Sequence, residues 1–396
     1  MSLILRGVTE DDWSRVRLLA ATSFGSFWHP ETMAAWRSLM VSGSSTVVCD
    51  GDDLIPMAHY LDMSLTVPGG AVIPTAGITW VGVAPTHRRR GLLRSMYTSL
   101  HQHIADRGYP MAALTASEGG IYGRFGYGPA TIETEFTLDR RFARFHPDAA
   151  DSGGVRVVTA GEHRDDFAEI YDRYRRLTPG GLDRPLPLWD DLLADWEDSR
   201  GGASPWFAFL HPDGYLLYRV RGGDPRTVRV EEFTAVTPDA HNALWRALLG
   251  LDLVETVVST SHPADPLPYL LADARLVRTT AAEDGLWLRI MDIPTVLEAR
   301  SYLADLDTVI QVDDGFRSDG GRFALQIRGG RAQCIPTGAL AQVTMNLEVL
   351  SAMYLGVHRA ATLAVANRIR VTDPGLPARL DAAFGSDVPA RLGFNF

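Results

Sequence analysis

Cysteine is scarce: only Cys49 and Cys334 occur in 396 residues. Each has one apolar neighbour, Val48 and Ile335, and with only two cysteines neither a disulfide framework nor a cysteine-based metal site is expected. Long apolar runs are missing too, and no 18-residue stretch qualifies as a membrane span. The opening Met-Ser-Leu-Ile-Leu-Arg lacks the basic and apolar regions of a secretory signal, and a cytoplasmic location is expected. There is no basic excess. The net charge is −10 and the pI is about 5.6, which argues against general nucleic-acid binding. Eleven histidines show no metal-ligand spacing, and no metal is expected. Gly-x-Ser-x-Gly and Walker sequences are absent as well. What remains is a soluble globular composition, 46% apolar and 22% charged, on a chain too long for one core. Two or three domains are expected.

The most informative stretch present is Val81-Gly-Val-Ala-Pro-Thr-His-Arg-Arg-Arg-Gly-Leu-Leu-Arg94. An apolar, β-branched run, Ile78 to Val83, stops at Pro85. Arginines and Gly91 follow, and then Leu92 to Leu100 at helical spacing. A strand thus runs into an Arg/Gly turn that opens a helix. Amides at such a helix start, with the positive end of its dipole, can cradle a pyrophosphate. Gly91 lets the backbone come close to it.

Periodicity divides the chain into three segments. The first alternates helices (Asp11 to Phe24, Pro30 to Met40) with strands (45–49, 55–61, 72–83), and then a helix to Asp106 and a strand from Pro110 to Ala116. The second, after the loop His146 to Gly154, repeats this order without clear sequence repetition. At the place of the Arg/Gly turn it has Val236-Thr-Pro-Asp-Ala-His-Asn, with no glycine for phosphate approach. The third, starting near Ile290, is a strand meander with glycine turns closed by helices. The fold expected is α/β and α+β. Its domains are residues 1–145, carrying the Arg/Gly turn; residues 146–288, a copy lacking it; and residues 289–396, a smaller module carrying the C-terminus.

A second motif follows the strand ending at Ala116: Ser117-Glu-Gly-Gly-Ile-Tyr-Gly-Arg-Phe-Gly-Tyr-Gly-Pro-Ala130. Aromatic residues between glycines can place a ring edge in a cleft where the backbone is close. With the Arg/Gly turn, the three-segment layout and the C-terminal Phe396, this run resembles the Eis (enhanced intracellular survival) family of GCN5-related N-acetyltransferases. The resemblance covers essentially the whole chain. It implies two tandem acetyltransferase folds, a sterol-carrier-like C-terminal domain, a homohexamer, and acetyl-CoA as donor to amines of aminoglycosides or to lysine side chains.

Carried over onto this sequence, the resemblance implies that Val81 and Val83 pair with pantetheine. Arg88, Arg89 and Gly91 would hold the diphosphate, and Ser117 would sit near the thioester. Tyr122 matches the general acid and the terminal carboxylate of Phe396 the general base. Phe24, Trp36 and Arg37 match the substrate channel. The sequence departs from the family where carboxylates hold a polycationic sugar: Ser26 and Asn395 replace acidic residues, and Thr115 replaces a histidine. Leu93 stands where a small residue is usual. A non-catalytic lipid or sterol carrier on transferase-like folds is the alternative reading, which the intact first motif opposes.

Overall fold

The computed structural model describes residues 3–25, 27–40, 43–223 and 226–396. Ser26 therefore lies outside the described residues. The chain forms two compact units: Met1–Thr131 with Leu286–Asp387 and Asn395–Phe396, and Ile132–Gly285 with Val388–Phe394.

Nineteen strands occur among the described residues. The first six are β1 (Ile4–Arg6), β2 (Ser45–Asp50), β3 (Asp53–Thr66), β4 (Val72–Val83), β5 (Met111–Thr115) and β6 (Gly128–Pro129). Then come β7 (Ile132–Asp139), β8 (Arg156–Val158), β9 (Phe207–His211), β10 (Gly214–Arg221), β11 (Thr227–Ala235), β12 (Thr256–Ser261) and β13 (Arg278–Asp284). The last six are β14 (Leu286–Ile290), β15 (Leu306–Asp313), β16 (Gly321–Arg328), β17 (Arg331–Pro336), β18 (Val343–Asn346) and β19 (Ile369–Val371). Three helices of the first unit position its site: α1 (Trp13–Phe24), α2 (Pro30–Ser38) and α3 (Leu92–Asp106).

The first sheet has the order β1-β2-β3-β4-β5-β14-β6 and the second β8-β9-β10-β11-β12-β7-β13. The two orders match strand for strand, but each sheet takes its sixth strand from a distant part of the chain. β14 follows the second sheet in sequence yet pairs antiparallel with β5, Leu286 opposite Thr115. β7 precedes most of the second sheet and pairs with β12, Thr256 opposite Asp139. β14, flanked by β5 and β6, is buried along its whole length. β7 buries only Phe136 and Leu138, in keeping with its alternation of apolar and polar residues. Of the boundaries read from sequence, 145 lies just past β7 and 288 lies inside β14.

Helix α3 covers the first sheet with Met96, Tyr97, Leu100 and Ile104, which pack with Tyr60, Ile78, Leu114, Phe125 and Tyr127. The second sheet has its own core around Phe233, Leu244, Trp245 and Leu248. The third sheet, β17-β16-β15-β18-β19, belongs to the first unit and is accompanied by helices Leu347–Met353, Ala360–Val365 and Leu376–Phe384. Among the described residues no helix is long and apolar enough to cross a membrane, and no cluster of three metal-ligating side chains is found. Both cysteines are free and buried.

Candidate active site

The site begins where β4 and β5 separate. They pair in parallel only from Thr75 with Met111 to Gly77 with Ala113. Past that point β4 continues to Val83 against β3 alone, so its other backbone edge is open. A bulge sharpens the separation: the β3–β4 register shifts between Met57 and His59, and Trp80 takes φ of 55°. Such a bulge turns the strand and interrupts its ladder. Val81 and Val83 lie on this open stretch, half-buried.

The turn after β4 completes a cradle. A 3₁₀ turn, Pro85–His87, leads to Arg89 and Gly91, both at positive φ, 65° and 77°. A Cβ on Gly91 would meet nothing within 4 Å, so glycine is required there for its left-handed backbone and not for space. Gly91 caps α3 without any side-chain hydrogen bond. The helix's first amides are thus left to solvent or to an anion. Arg88, Arg89 and Arg90 are exposed around them. Uncapped amides, three guanidinium groups and an open strand edge form a donor set that fits a diphosphate followed by an amide-bearing arm.

β5 leads into the glycine-rich run. Tyr122 closes a short helix, Gly119–Tyr122, and is only 5% exposed. Burial pushes its hydroxyl pKa above the usual tyrosine range; a hydrogen bond with Ser117 opposes the rise and Glu118 adds to it. Tyr122 is therefore protonated at neutral pH, the form an acid needs. Tyr127 faces the core instead, with its hydroxyl 2.8 Å from His101 Nε2. Phe125 stacks on Tyr97 at 4.6 Å between ring centroids.

Two distant residues brace this run, and sequence reasoning missed both. Arg289 of β14, fully buried, donates from Nη1 to the Phe125 carbonyl at 2.7 Å. Its Nη2 donates to Asp314 Oδ2, also at 2.7 Å. The Arg289 guanidinium helps hold the Asp314 carboxyl below the usual range against the opposing effect of burial, and the Phe316 and Arg317 amides assist. Phe316 meets Phe125 edge-on at 5.0 Å. Nothing local in Leu-Arg-Ile or Val-Asp-Asp-Gly marks these partners.

The chain end reaches the same place. The Thr115 hydroxyl donates to the main-chain oxygen of Phe396 at 3.1 Å. Thr115 is the last residue of β5, two positions before Ser117. The ring of Phe396 lies against Gly77, where a Cβ would stand 3.0 Å from it. The position read from sequence as a lost histidine thus contacts Phe396.

An aromatic wall surrounds Trp80. Trp28 lies 4.9 Å from it between centroids, Trp36 5.9 Å and Trp13 6.4 Å. Phe24, 42% exposed, stacks on Trp28 at 5.8 Å. Arg37 pairs with Glu10 and lies over the Trp13 ring at 4.9 Å. Phe24, Trp36 and Arg37, expected from sequence in a channel, are thus joined by Trp13, Trp28 and Trp80. The signal for these was the crowding of tryptophan into the first 80 residues.

This sheet, opened at a bulge and followed by an uncapped helix, is the architecture of an acetyltransferase. Models of the acetyltransferase (GNAT) domain match residues 5–130 and 180–290, and a sterol carrier protein domain model matches residues 293–392. The chain is 56% identical to N-acetyltransferase Eis of Mycobacterium tuberculosis (strain CDC 1551 / Oshkosh) over 407 aligned positions, covering 100% of both. It is 36% identical, again over 100% of both, to an uncharacterized N-acetyltransferase of Streptomyces coelicolor. Among solved structures, Eis1 from Mycobacterium abscessus superposes with a TM-score of 0.88 at 29% identity, covering 100% of each chain. The chain belongs to the Eis family of N-acetyltransferases. Its fold implies acetyl-CoA as co-substrate.

Proposed function

We propose that the chain transfers the acetyl group of acetyl-CoA to amines of aminoglycoside-type or lysine-containing acceptors, with Tyr122 as general acid and the Phe396 carboxylate as general base. The observation that supports this reading is the Thr115–Phe396 hydrogen bond, beside the parting of β4 and β5. Val81 and Val83 would pair with pantetheine, Arg88, Arg89 and Gly91 would hold the diphosphate, and Ser117 would orient the Tyr122 hydroxyl.

An acceptor amine with a pKa near 10 is mostly protonated at pH 7, and exposing its lone pair costs roughly 4–5 kcal/mol. The ammonium gives that first proton to solvent, and the Phe396 carboxylate takes the second, which the nitrogen loses as the N–C bond forms. As the C–S bond breaks, Tyr122 gives its proton to the departing sulfur. The products are an amide and the free thiol, and solvent returns the proton from the carboxylate to Tyr122. Phe24, Trp36 and Arg37 line the acceptor's path. Asn395 stands where the family resemblance implies an acid, so multiply charged acceptors would be held less strongly and lysine side chains would rank ahead.

Thiol release from acetyl-CoA, measured over a panel of aminoglycosides, polyamines and lysine peptides, tests the reading. Turnover with no amine in the panel would overturn the acceptor class. All 38 basic residues of the chain are arginine, so any acetyl-lysine formed reports the acceptor and not the enzyme. The same reading includes a homohexamer in the cytoplasm, which light scattering and fractionation test.

A further inference from the structure

The second unit has the same opening in its sheet. β11 and β12 pair in parallel only from Thr227 with Thr256 to Arg229 with Val258. A register shift between β10 and β11 follows, as between β3 and β4. Past Arg229 and Val258 the strands part. In the first unit the matching opening faces the cradle for acetyl-CoA. Here the chain's own C-terminal segment fills it.

Arg391 spans the gap. Its Nη1 donates to the Phe233 carbonyl of β11 at 3.2 Å and its Nη2 to the Thr260 carbonyl of β12 at 3.1 Å. Its backbone N–H donates to the Pro179 carbonyl at 2.9 Å. The next residue, Leu392, is buried and donates its N–H to the Glu133 carboxylate. Gly393 passes so close to Tyr171 that a Cβ would lie 2.5 Å from the ring. Phe394 meets Tyr171 edge-on at 6.0 Å and lies under the Arg184 guanidinium at 4.9 Å.

We propose that the parted strands of the second unit are a docking site for the chain's own C-terminal segment, with Arg391 as the positioning residue that fixes the reach of the Phe396 carboxylate. Asn395 and Phe396 follow the docked segment and belong to the first unit. Two residues of extended chain span about 7 Å, so a docked Phe394 confines the carboxylate to a small volume. A loose tail would spread the same carboxylate over a far larger one and lower its effective concentration. A half without an acetyl-CoA cradle thus serves the reaction by anchoring. The inference rests on the reading of the Phe396 carboxylate as base.

Arg391→Ala and Gly393→Ala in the full chain test it. The first removes both bridging donors, and the second forces the segment away from Tyr171. In each, kcat should fall about tenfold or more. Acetyl-CoA affinity by calorimetry should stay within about twofold, since the cradle is elsewhere. Carboxypeptidase should release Phe396 at least about tenfold faster, because cleavage follows the population of the undocked tail. Arg391→Lys, whose ammonium lacks the guanidinium fork, should give intermediate values. Wild-type turnover and wild-type protection of Phe396 in both variants would overturn the proposal. A parallel loss of acetyl-CoA affinity would also overturn it, by marking Arg391 as merely structural. A chain with one glycine added after Phe396 separates the two readings. Full turnover there removes the carboxylate as base. Reduced turnover there, with full turnover in both tail variants, removes only the anchor.

Discussion

The two acetyltransferase halves share a strand order, a bulge and a pair of parted strands, and they differ at the start of the helix that follows. In the first half α3 opens at Gly91 with no side-chain cap. In the second, helix Pro238–Leu249 opens on Thr237, whose hydroxyl accepts from the Ala240 N–H at 3.3 Å. Pro238 has no N–H to offer. The first helix leaves its opening amides without a side-chain cap, while the second satisfies or omits them internally. The parted strands differ likewise: Thr115 reaches Phe396 in one, and Thr260 accepts from Arg391 in the other. The two halves therefore differ less in the sheet than in what is left unsatisfied at one helix end.

The largest expected effect sharpens the assignment of chemistry to the first half. Tyr122→Phe should lower kcat about 10²-fold, within the range of general acid catalysis, while the fold persists. Full turnover in Tyr122→Phe together with loss in Tyr127→Phe would move the role to the other ring. Because burial raises the Tyr122 pKa, the wild-type rate should show no decline from its ionisation below about pH 10. A fall beginning near pH 8 would contradict that.

Next in size is the cradle. Calorimetry should find one acetyl-CoA per chain, and Gly91→Val should weaken it at least about tenfold, because a β-branched residue resists positive φ. Two equivalent sites per chain would break the comparison outright.

Thr237→Ala should cost about 1 kcal/mol of stability by the usual loss of an N-cap, read as a shift in the urea midpoint. Acetyl-CoA affinity should be unchanged. If binding falls with it, the second half holds ligand after all.

The smallest effect concerns acid. Asp12, through its bond to Arg6, has its carboxyl held well below the usual range. A depressed carboxylate adds stability above its unfolded pKa near 3.9, and that stability is lost as pH falls through the lower folded value. Asp265 of the second half is depressed in the same way by His241 and Ser261. Asp12→Asn should therefore flatten the acid limb of the stability curve below about pH 4, by no more than about 1 kcal/mol given the half-exposed arginine. Asp265→Asn should flatten it too. Equal slopes in wild type and variants would remove these pairs from the acid response.

Much of the site was legible because its signals are local. A β-branched run, an Arg/Gly turn and helical spacing lie within 20 residues, and the cradle they forecast is built from neighbours in sequence. The glycine-rich run was legible for the same reason. Trp80 was readable as a strand residue but not as the bulge around which Trp13, Trp28 and Trp36 gather, since a bulge depends on the partner strand's register. Arg289 and Asp314 were invisible because their meaning lies in each other and in Phe125, which is 164 positions from Arg289.

By itself the sequence determined the three-part layout, the strand–turn–helix of the first half and the different helix start of the second, because periodicity and turn chemistry are written over a few adjacent residues. Tertiary structure alone decided that β7 and β14 complete sheets far from their own neighbours, since a strand's alternation says which face is buried but not which strand it joins. It alone decided that Thr115 meets Phe396 and that Arg391 bridges β11 and β12, because hydrogen bonds across hundreds of residues exist only once both sheets have formed.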